Sequence, residues 1–325
     1  YLHTGHTAAL VLRQHRDPIR LAAPAPGATV IGIPDYPAAL AWFTDEYPVL
    51  LGVVDRAARA GFDTHAWQIP WTLSSYFDIQ GRWQDRKAVE QTALAATRRL
   101  GDRTGQAIVH RSLAGALVYL GRFDDARAHL ETALGLFAQL GDPAGQALTQ
   151  INLAQVFGRQ RRFVEALHHS QQALKLYQGT GQRAGHARAL NAVGWDHAHL
   201  GNYQQAIGHC QRALELQREI GHPAGEAATL DSLGYAHYGL GDYERATACY
   251  QRAIDLYRQG RSRYLQADTL ISLGDTRLAA GDPDAAGTVW RRALTILEEL
   301  DHPDADRVRT RLPGVRPEGS HSRPE

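Results

Sequence analysis

Histidine is the residue type that most suggests chemistry in this chain, because 16 copies are present and several recur at fixed spacing. One constant interval separates His129, His169 and His209, and the segment DHAH places His197 and His199 in an HxH pattern. On a helix, two side chains that are two positions apart, such as His197 and His199, point about 200° away from each other and do not share a ligand. No HExxH motif and no Cys/His zinc-finger spacing occurs. We therefore predict structural packing for the histidines, no metal site and no cofactor. A small-molecule or metal-responsive sensor that uses these His-rich columns is the alternative reading.

A glycine-rich stretch also recurs, and such stretches can cradle phosphates. Residues 140–147 read LGDPAGQA, and residues 100–107 read LGDRTGQA. A P-loop needs Gly-Lys followed by Ser or Thr, and the chain contains no such tripeptide. Gly141 instead suits a left-handed residue after a helix, Asp142 the next N-cap, and Pro143 the first helical position. The stretch is interpreted as a connector between helices.

Nucleophilic chemistry has no support in the sequence. No GxSxG motif occurs, and no His and Asn can be named as partners for Cys210 or Cys249. Both cysteines are predicted to be buried, inert thiols. We predict no catalytic residues and a protein that is not an enzyme.

Composition narrows the class of partner. Apolar residues make up 44% of the chain, and the net charge is +1, which predicts neither direct nucleic-acid binding nor attraction to an anionic membrane. No apolar run reaches the roughly 20 residues that span a bilayer. Two cysteines without a disulfide framework favour the cytoplasm. Because the chain contains no Met, we interpret it as a fragment of a longer protein or a processed piece.

The segments that carry these residues form a sequence repeat of constant length, without insertion or deletion, and we call each repeat unit a cell. In the cell that contains Leu230, Leu233 and His237, apolar residues recur at helical spacing until the sequence GDY breaks the pattern, and a second helix follows. Each cell is predicted to be a helix, a tight turn and a helix, and such cells must stack to bury their faces. One alanine column shows the period and the register: Ala93, Ala133, Ala173, Ala213, Ala253 and Ala293.

These small and aromatic columns resemble tetratricopeptide repeats, here in a 40-residue form. The resemblance implies an all-α fold, a right-handed α-solenoid or superhelix of stacked helix-turn-helix repeats. Residues 1–60 are predicted to form N-terminal helices and a Pro-rich linker, 61–312 the array, and 313–325 a disordered tail. The predicted repeats lie near 61–100, 101–140, 141–180, 181–220, 221–260 and 261–300, followed by a capping segment. Arg86 stands where the first cell should carry Ala, as in an atypical end repeat.

The segment 1–60 narrows the resemblance further. It contains YLHTGHTAALVL, a Pro-rich passage and AALAWFTDEYPVLLGVVDRAARAG, in that order. This order resembles the region after the nucleotide-binding module in AfsR-like members of the Streptomyces antibiotic regulatory protein (SARP) family. Such regulators combine a DNA-binding domain, an NTPase module of the STAND class and a tetratricopeptide sensor. The resemblance implies the sensor region of a transcriptional regulator of secondary metabolism.

The resemblance also implies a concave groove, lined by the first helix of each repeat, that binds a protein or peptide; self-association is left open. Carried over column by column, the candidate groove residues are Arg111, Tyr119, Asn152, Gln155, Arg159, Arg188, Asn191, Trp195, His199, Asp231, Tyr235, Tyr238, Asp268 and Asp275. The charged members change from Arg in the early cells to Asp in the later cells, with the aromatic members near the change. We therefore expect a partner segment with an acidic part, an apolar anchor and a basic part.

Overall fold

The computed structural model describes residues 1–13, 19–300 and 302–312, and within them the chain forms fifteen helices and no strand. The all-α class predicted from the sequence is thereby confirmed. The predicted disordered tail, 313–325, lies outside the described residues. The helices are α1 (Leu2–Leu12), α2 (Tyr36–Arg59), α3 (Asp63–Gln80), α4 (Trp83–Leu100), α5 (Arg103–Tyr119), α6 (Phe123–Gln139), α7 (Pro143–Arg159), α8 (Phe163–Gln178), α9 (Arg183–His199), α10 (Tyr203–Glu219), α11 (Pro223–Gly239), α12 (Tyr243–Gln259), α13 (Arg263–Ala279), α14 (Pro283–Glu299) and α15 (Asp304–Arg309).

The chain divides into two compact units, Tyr1–Gly185 and His186–Glu325. In each unit consecutive helices pack in pairs, as α7 does with α8 and α11 with α12. Phe43 and Phe77 are fully buried in the core of the first unit, and Tyr250 is buried in that of the second. The pairs fit helix-turn-helix cells in which α5, α7, α9, α11 and α13 are the first helices.

Turn residues explain where the helices end. Gly141 has φ 65°, the left-handed conformation that was predicted for it, and Asp142 accepts a hydrogen bond at 2.8 Å from the Gly145 backbone N–H. Pro143 begins α7, as expected. Positive φ recurs at a constant interval, once after every helix from Gly61 to Gly281, and the residue is Gly in all but two of these turns. Those exceptions are Arg161 with φ 61° and Arg261 with φ 52°.

A second glycine position allows close packing between the two helices of a repeat. A Cβ on Gly234 of α11 would lie 2.6 Å from the ring of Tyr250 on α12, too close without a shift. Gly194 and Gly274 occupy the same column, opposite Cys210 and Trp290. In the first unit, the column holds Ala114 and Ala154, and the corresponding second-helix residues are Leu130 and Ser170.

Arg86, which interrupts an alanine column, is buried and forms an ion pair with Asp78. Its guanidinium also donates to the backbone oxygen of Ser112, at 3.1 Å. The opposing residue on α5 is Gly115, where an added Cβ would lie 3.1 Å from the guanidinium. The atypical first cell therefore replaces small-residue packing with an ion pair between a buried arginine and a partly buried aspartate.

Candidate functional site

Three aromatic side chains form a cluster on neighbouring first helices of the second unit. Trp195 and His199 lie one turn apart on α9, and Tyr235 lies on α11, at the position equivalent to Trp195 in the next repeat. The ring centroids are 4.3 Å apart for Trp195 and His199, 5.5 Å for Trp195 and Tyr235, and 4.5 Å for His199 and Tyr235. All three residues are partly exposed. We refer to Trp195, His199 and Tyr235 as the aromatic cluster.

Hydrogen bonding and stacking hold the cluster in a fixed arrangement. The His199 ring is nearly parallel to that of Tyr235, with 12° between the planes. His199 Nδ1 lies 3.1 Å from the backbone oxygen of Trp195, and because a carbonyl oxygen only accepts, Nδ1 donates. The aromatic cluster is therefore a preorganised, partly apolar surface.

A carboxylate lies one turn before the cluster on α11. Burial, together with the nearby Asp268 carboxylate, raises the pKa of Asp231 to about 7, and a hydrogen bond with Thr269 acts in the opposite direction. The Asp231 Oδ1 atom is buried and has no hydrogen-bond partner among the residues that the structure describes. Asp231 therefore carries an acceptor that the fold leaves unsatisfied.

Asp275, by contrast, is engaged by the chain's own C-terminal segment. Arg311 donates to both carboxylate oxygens, from Nε at 3.0 Å and from Nη2 at 3.3 Å. The Trp290 indole N–H donates to the same carboxylate at 3.2 Å. The sequence pattern missed Arg311 because the residue lies beyond the repeats, where no column predicts its neighbours. Of the acidic groove residues, Asp275 already has a cation, and Asp268 is exposed.

Three candidate residues of the first unit contact aromatic rings of that unit. Tyr119 stacks on Trp83 with a centroid distance of 3.9 Å and 4° between the planes. The Arg159 guanidinium lies 5.7 Å from the Tyr119 ring, and that of Arg111 lies 5.3 Å from the Phe137 ring. These arginines contribute cation–π contacts within the fold.

The remaining candidates are dispersed over the first helices. Gln155 is exposed, whereas Asn152 and Arg188 are partly buried. Asn191 accepts a weak hydrogen bond at 3.7 Å from the thiol of Cys210. Tyr238 contacts Tyr243, with ring centroids 5.9 Å apart.

The thiols differ in burial. Cys210 is buried, as predicted, and burial raises the pKa of its thiol to about 12, which agrees with the expectation of an unreactive thiol. Cys249 is only partly buried, although burial also raises its pKa.

The recurring histidines are paired with neighbours on the adjoining helix. His129 Nδ1 lies 2.7 Å from His110 Nδ1, and His169 Nδ1 lies 2.6 Å from the side-chain oxygen of Gln150. His209 stacks on His197 with a centroid distance of 5.7 Å. Burial lowers the pKa of each of these histidines. Among the described residues, no three His, Cys, Asp or Glu side chains are grouped so as to hold a metal ion.

The periodic helix pairs and the small-residue columns correspond to a known family. The tetratricopeptide repeat model matches residues 145–219, 185–259 and 226–299. Residues 145–299 are tetratricopeptide repeats. The aromatic cluster, Asp231 and Asp275 all lie within these tetratricopeptide repeats.

Three solved structures of differently described proteins share the fold of this chain. BtubC from P. vanneervenii is 22% identical, with a TM-score of 0.54 over 75% of this chain and 97% of that chain. A Rap protein complexed with Competence and Sporulation Factor is 16% identical, with a TM-score of 0.60 over 82% and 80%. A STAND protein with a tetratricopeptide repeat sensor, from Pyrococcus horikoshii, is 17% identical, with a TM-score of 0.56 over 85% and 43%. At these identities the likeness shows the fold.

A comparison with curated protein sequences found no match for this chain. Within residues 1–13, 19–300 and 302–312, no helix combines the length and the apolar character needed to cross a membrane.

Proposed function

We propose that this chain is a scaffold whose tetratricopeptide repeats bind a protein or peptide on the face formed by the first helices. The aromatic cluster carries the proposal, because it is preorganised and partly exposed on two neighbouring first helices. Aromatic anchors that a partner removes from water usually carry much of the binding energy. Tetratricopeptide repeat proteins are generally non-catalytic scaffolds, and the proposal includes no reaction.

We further propose a cytoplasmic regulatory role, as the sensor region of a bacterial transcriptional regulator of secondary metabolism. Two observations support it: the order of segments in residues 1–60, and the shared fold with the STAND protein that has a tetratricopeptide repeat sensor. In this proposal residues 1–60 lead into an array that extends over 61–312.

The scaffold proposal is tested by selecting short random peptides, displayed on phage, against the whole chain. Synthesised copies of the selected peptides are then titrated by fluorescence anisotropy. We expect peptides whose affinity falls at least tenfold in Trp195→Ala and stays within twofold in Phe62→Ala, an exposed aromatic at the start of α3. A selection without such peptides, or full affinity in a folded Trp195→Ala variant, contradicts the proposal.

The regulatory role has a separate test, which is the coding sequence that precedes the codon for Tyr1. A P-loop within an NTPase module, and a DNA-binding domain before it, are expected there. A reading frame without either contradicts the regulatory role and leaves the scaffold proposal intact.

A further inference from the structure

We propose that Asp231 and the aromatic cluster together bind the guanidinium group of an arginine in the partner. This inference rests on the proposed scaffold function and specifies the chemistry of the partner at the same site. Its occupant is a peptide segment in which an arginine lies beside the apolar anchor.

The first step is the placement of charge beside the aromatic rings. Asp231 precedes Tyr235 by one helical turn on α11, so the two side chains are neighbours on one face of that helix. Tyr235 in turn stacks on His199. Aromatic faces attract cations, and a planar guanidinium can stack on a ring while it donates to a carboxylate. The site thus offers both contacts that an arginine side chain uses.

The second step is that, among the residues that the structure describes, no cation pairs with Asp231. Asp231 as a residue is partly exposed, its Oδ1 atom is buried without a hydrogen-bond partner, and no Arg, Lys or His of the described residues forms an ion pair with this carboxylate. Asp268 on α13 contributes a second negative charge, and Tyr250 and Tyr257 on α12 are neutral neighbours whose pKa values are raised by burial and by Asp231. A partly buried carboxylate beside another carboxylate disfavours folding, so a cation that the partner supplies from the exposed side would relieve an unfavourable arrangement.

The third step is an internal precedent in the same unit. Asp275 on α13 is bound by both Nε and Nη2 of Arg311, and the indole of Trp290 lies at the same carboxylate. A carboxylate, an aromatic ring and a guanidinium therefore already form one assembly in this protein. Asp231 and the aromatic cluster present the first two components of such an assembly.

The test uses peptides from the selection described above that bind in a Trp195-dependent manner. Each arginine is replaced by citrulline, which keeps the shape of the side chain and removes its charge. Both peptide versions are titrated against the wild-type chain, Asp231→Asn, and the control Asp255→Asn, which alters a carboxylate on α12 that pairs with Arg258. Circular dichroism checks the fold, and Asp268→Asn serves as a second variant that removes the neighbouring charge.

We expect citrulline at one position to weaken binding at least tenfold for the wild type and for Asp255→Asn. For Asp231→Asn, the loss of affinity caused by citrulline should shrink to twofold or less, because the carboxylate charge that attracts the arginine is removed. Asp268→Asn is expected to reduce the citrulline effect partially.

Three outcomes overturn the inference. Trp195-dependent peptides that contain no arginine, or that tolerate citrulline everywhere, contradict it while the scaffold function stands. An undiminished citrulline effect in Asp231→Asn places the cation elsewhere. A selection that yields no Trp195-dependent peptide overturns the scaffold function and this inference together.

Discussion

The first helices of the two units carry the same types of residue but use them differently. In the first unit, Tyr119 is exposed but stacks on Trp83, and Arg159 lies over the Tyr119 ring. In the second unit, Tyr235 packs with other rings of the aromatic cluster, and the adjacent Asp231 has a buried oxygen without a hydrogen-bond partner in the described part of the chain. The contacts of the first unit hold its groove residues within the fold, whereas the unsatisfied acceptor beside partly exposed rings in the second unit is the difference on which the proposed binding site depends.

The largest expected effect is on stability, and it compares a closely packed glycine of the second unit with an open one of the first. Gly234→Ala should lower the free energy of unfolding by about 2–3 kcal/mol, because the added Cβ would overlap the Tyr250 ring. Gly158→Ala, on α7 of the first unit, is the matched control: its Cβ would meet nothing within 4 Å. It should stabilise the chain by about 0.5–1 kcal/mol. Urea titration followed by far-UV circular dichroism measures both, and shifts of the same sign would contradict the packing argument.

The next largest expected effect is on peptide affinity, and it compares an aromatic residue of the second unit with one of the first. Trp195→Ala should weaken a selected peptide by at least tenfold, about 1.4 kcal/mol or more. Tyr119→Ala should change the affinity by threefold or less, because its ring already stacks on Trp83 and the aromatic cluster lies in the other unit. Anisotropy titration of one peptide against both variants decides between the units. A larger loss in Tyr119→Ala would move the binding surface to the first unit.

Asp231 also predicts an unusual dependence of stability on pH. Its folded pKa of about 7 lies above the ordinary value of 3.8, so the folded state holds the proton more tightly, and stability is lost as pH rises from 3.8 to about 7. Asp231→Asn should therefore stabilise the chain by about 1–2 kcal/mol at pH 8 and have little effect below pH 4. Urea midpoints for both proteins at the two pH values measure the difference. Equal effects at both would show that this carboxyl does not titrate as described.

The first unit should respond to acid in the opposite sense. Burial, with His129 and Arg98 nearby, lowers the pKa of His110 to about 4. The unfolded state then binds more protons between pH 6.5 and 4, so stability is lost as pH falls through this window. His110→Gln should remove about 1 kcal/mol of that loss, whereas Gln in place of the exposed His65 should not. Thermal unfolding across the pH window tests this, and identical acid sensitivity of the two variants would refute it.

The smallest effect concerns a backbone conformation that both units share. Arg161 in the first unit and Arg261 in the second have positive φ where the other turns have Gly. Arg161→Gly and Arg261→Gly should each stabilise the chain by about 0.5–1 kcal/mol, since glycine adopts this conformation without steric cost. Thermal melts of the single variants measure the gain, and a loss in either would show that the arginine side chain makes a compensating contact.

Local chemistry explains which features the sequence predicted correctly. The turn at Gly141 and the cap at Asp142 depend only on neighbours in the chain, so residue type and register were sufficient. The contact between Asp275 and Arg311 was missed because Arg311 follows the last repeat. The raised pKa of Asp231 was also missed, because it depends on burial and on Asp268, which lies on the first helix of the next repeat.

The matching of small and large side chains within each helix pair restricts how this array could be recombined. A hybrid repeat that joins a first helix with Ala154 to a second helix with Tyr250 would place a methyl group where Gly234 leaves room for the ring. The reverse hybrid, Gly234 opposite Ser170, would leave a void where two small residues meet. The helix pair, rather than the single helix, is therefore the unit that duplication or design can exchange without loss of fit, and only whole repeats can be shuffled.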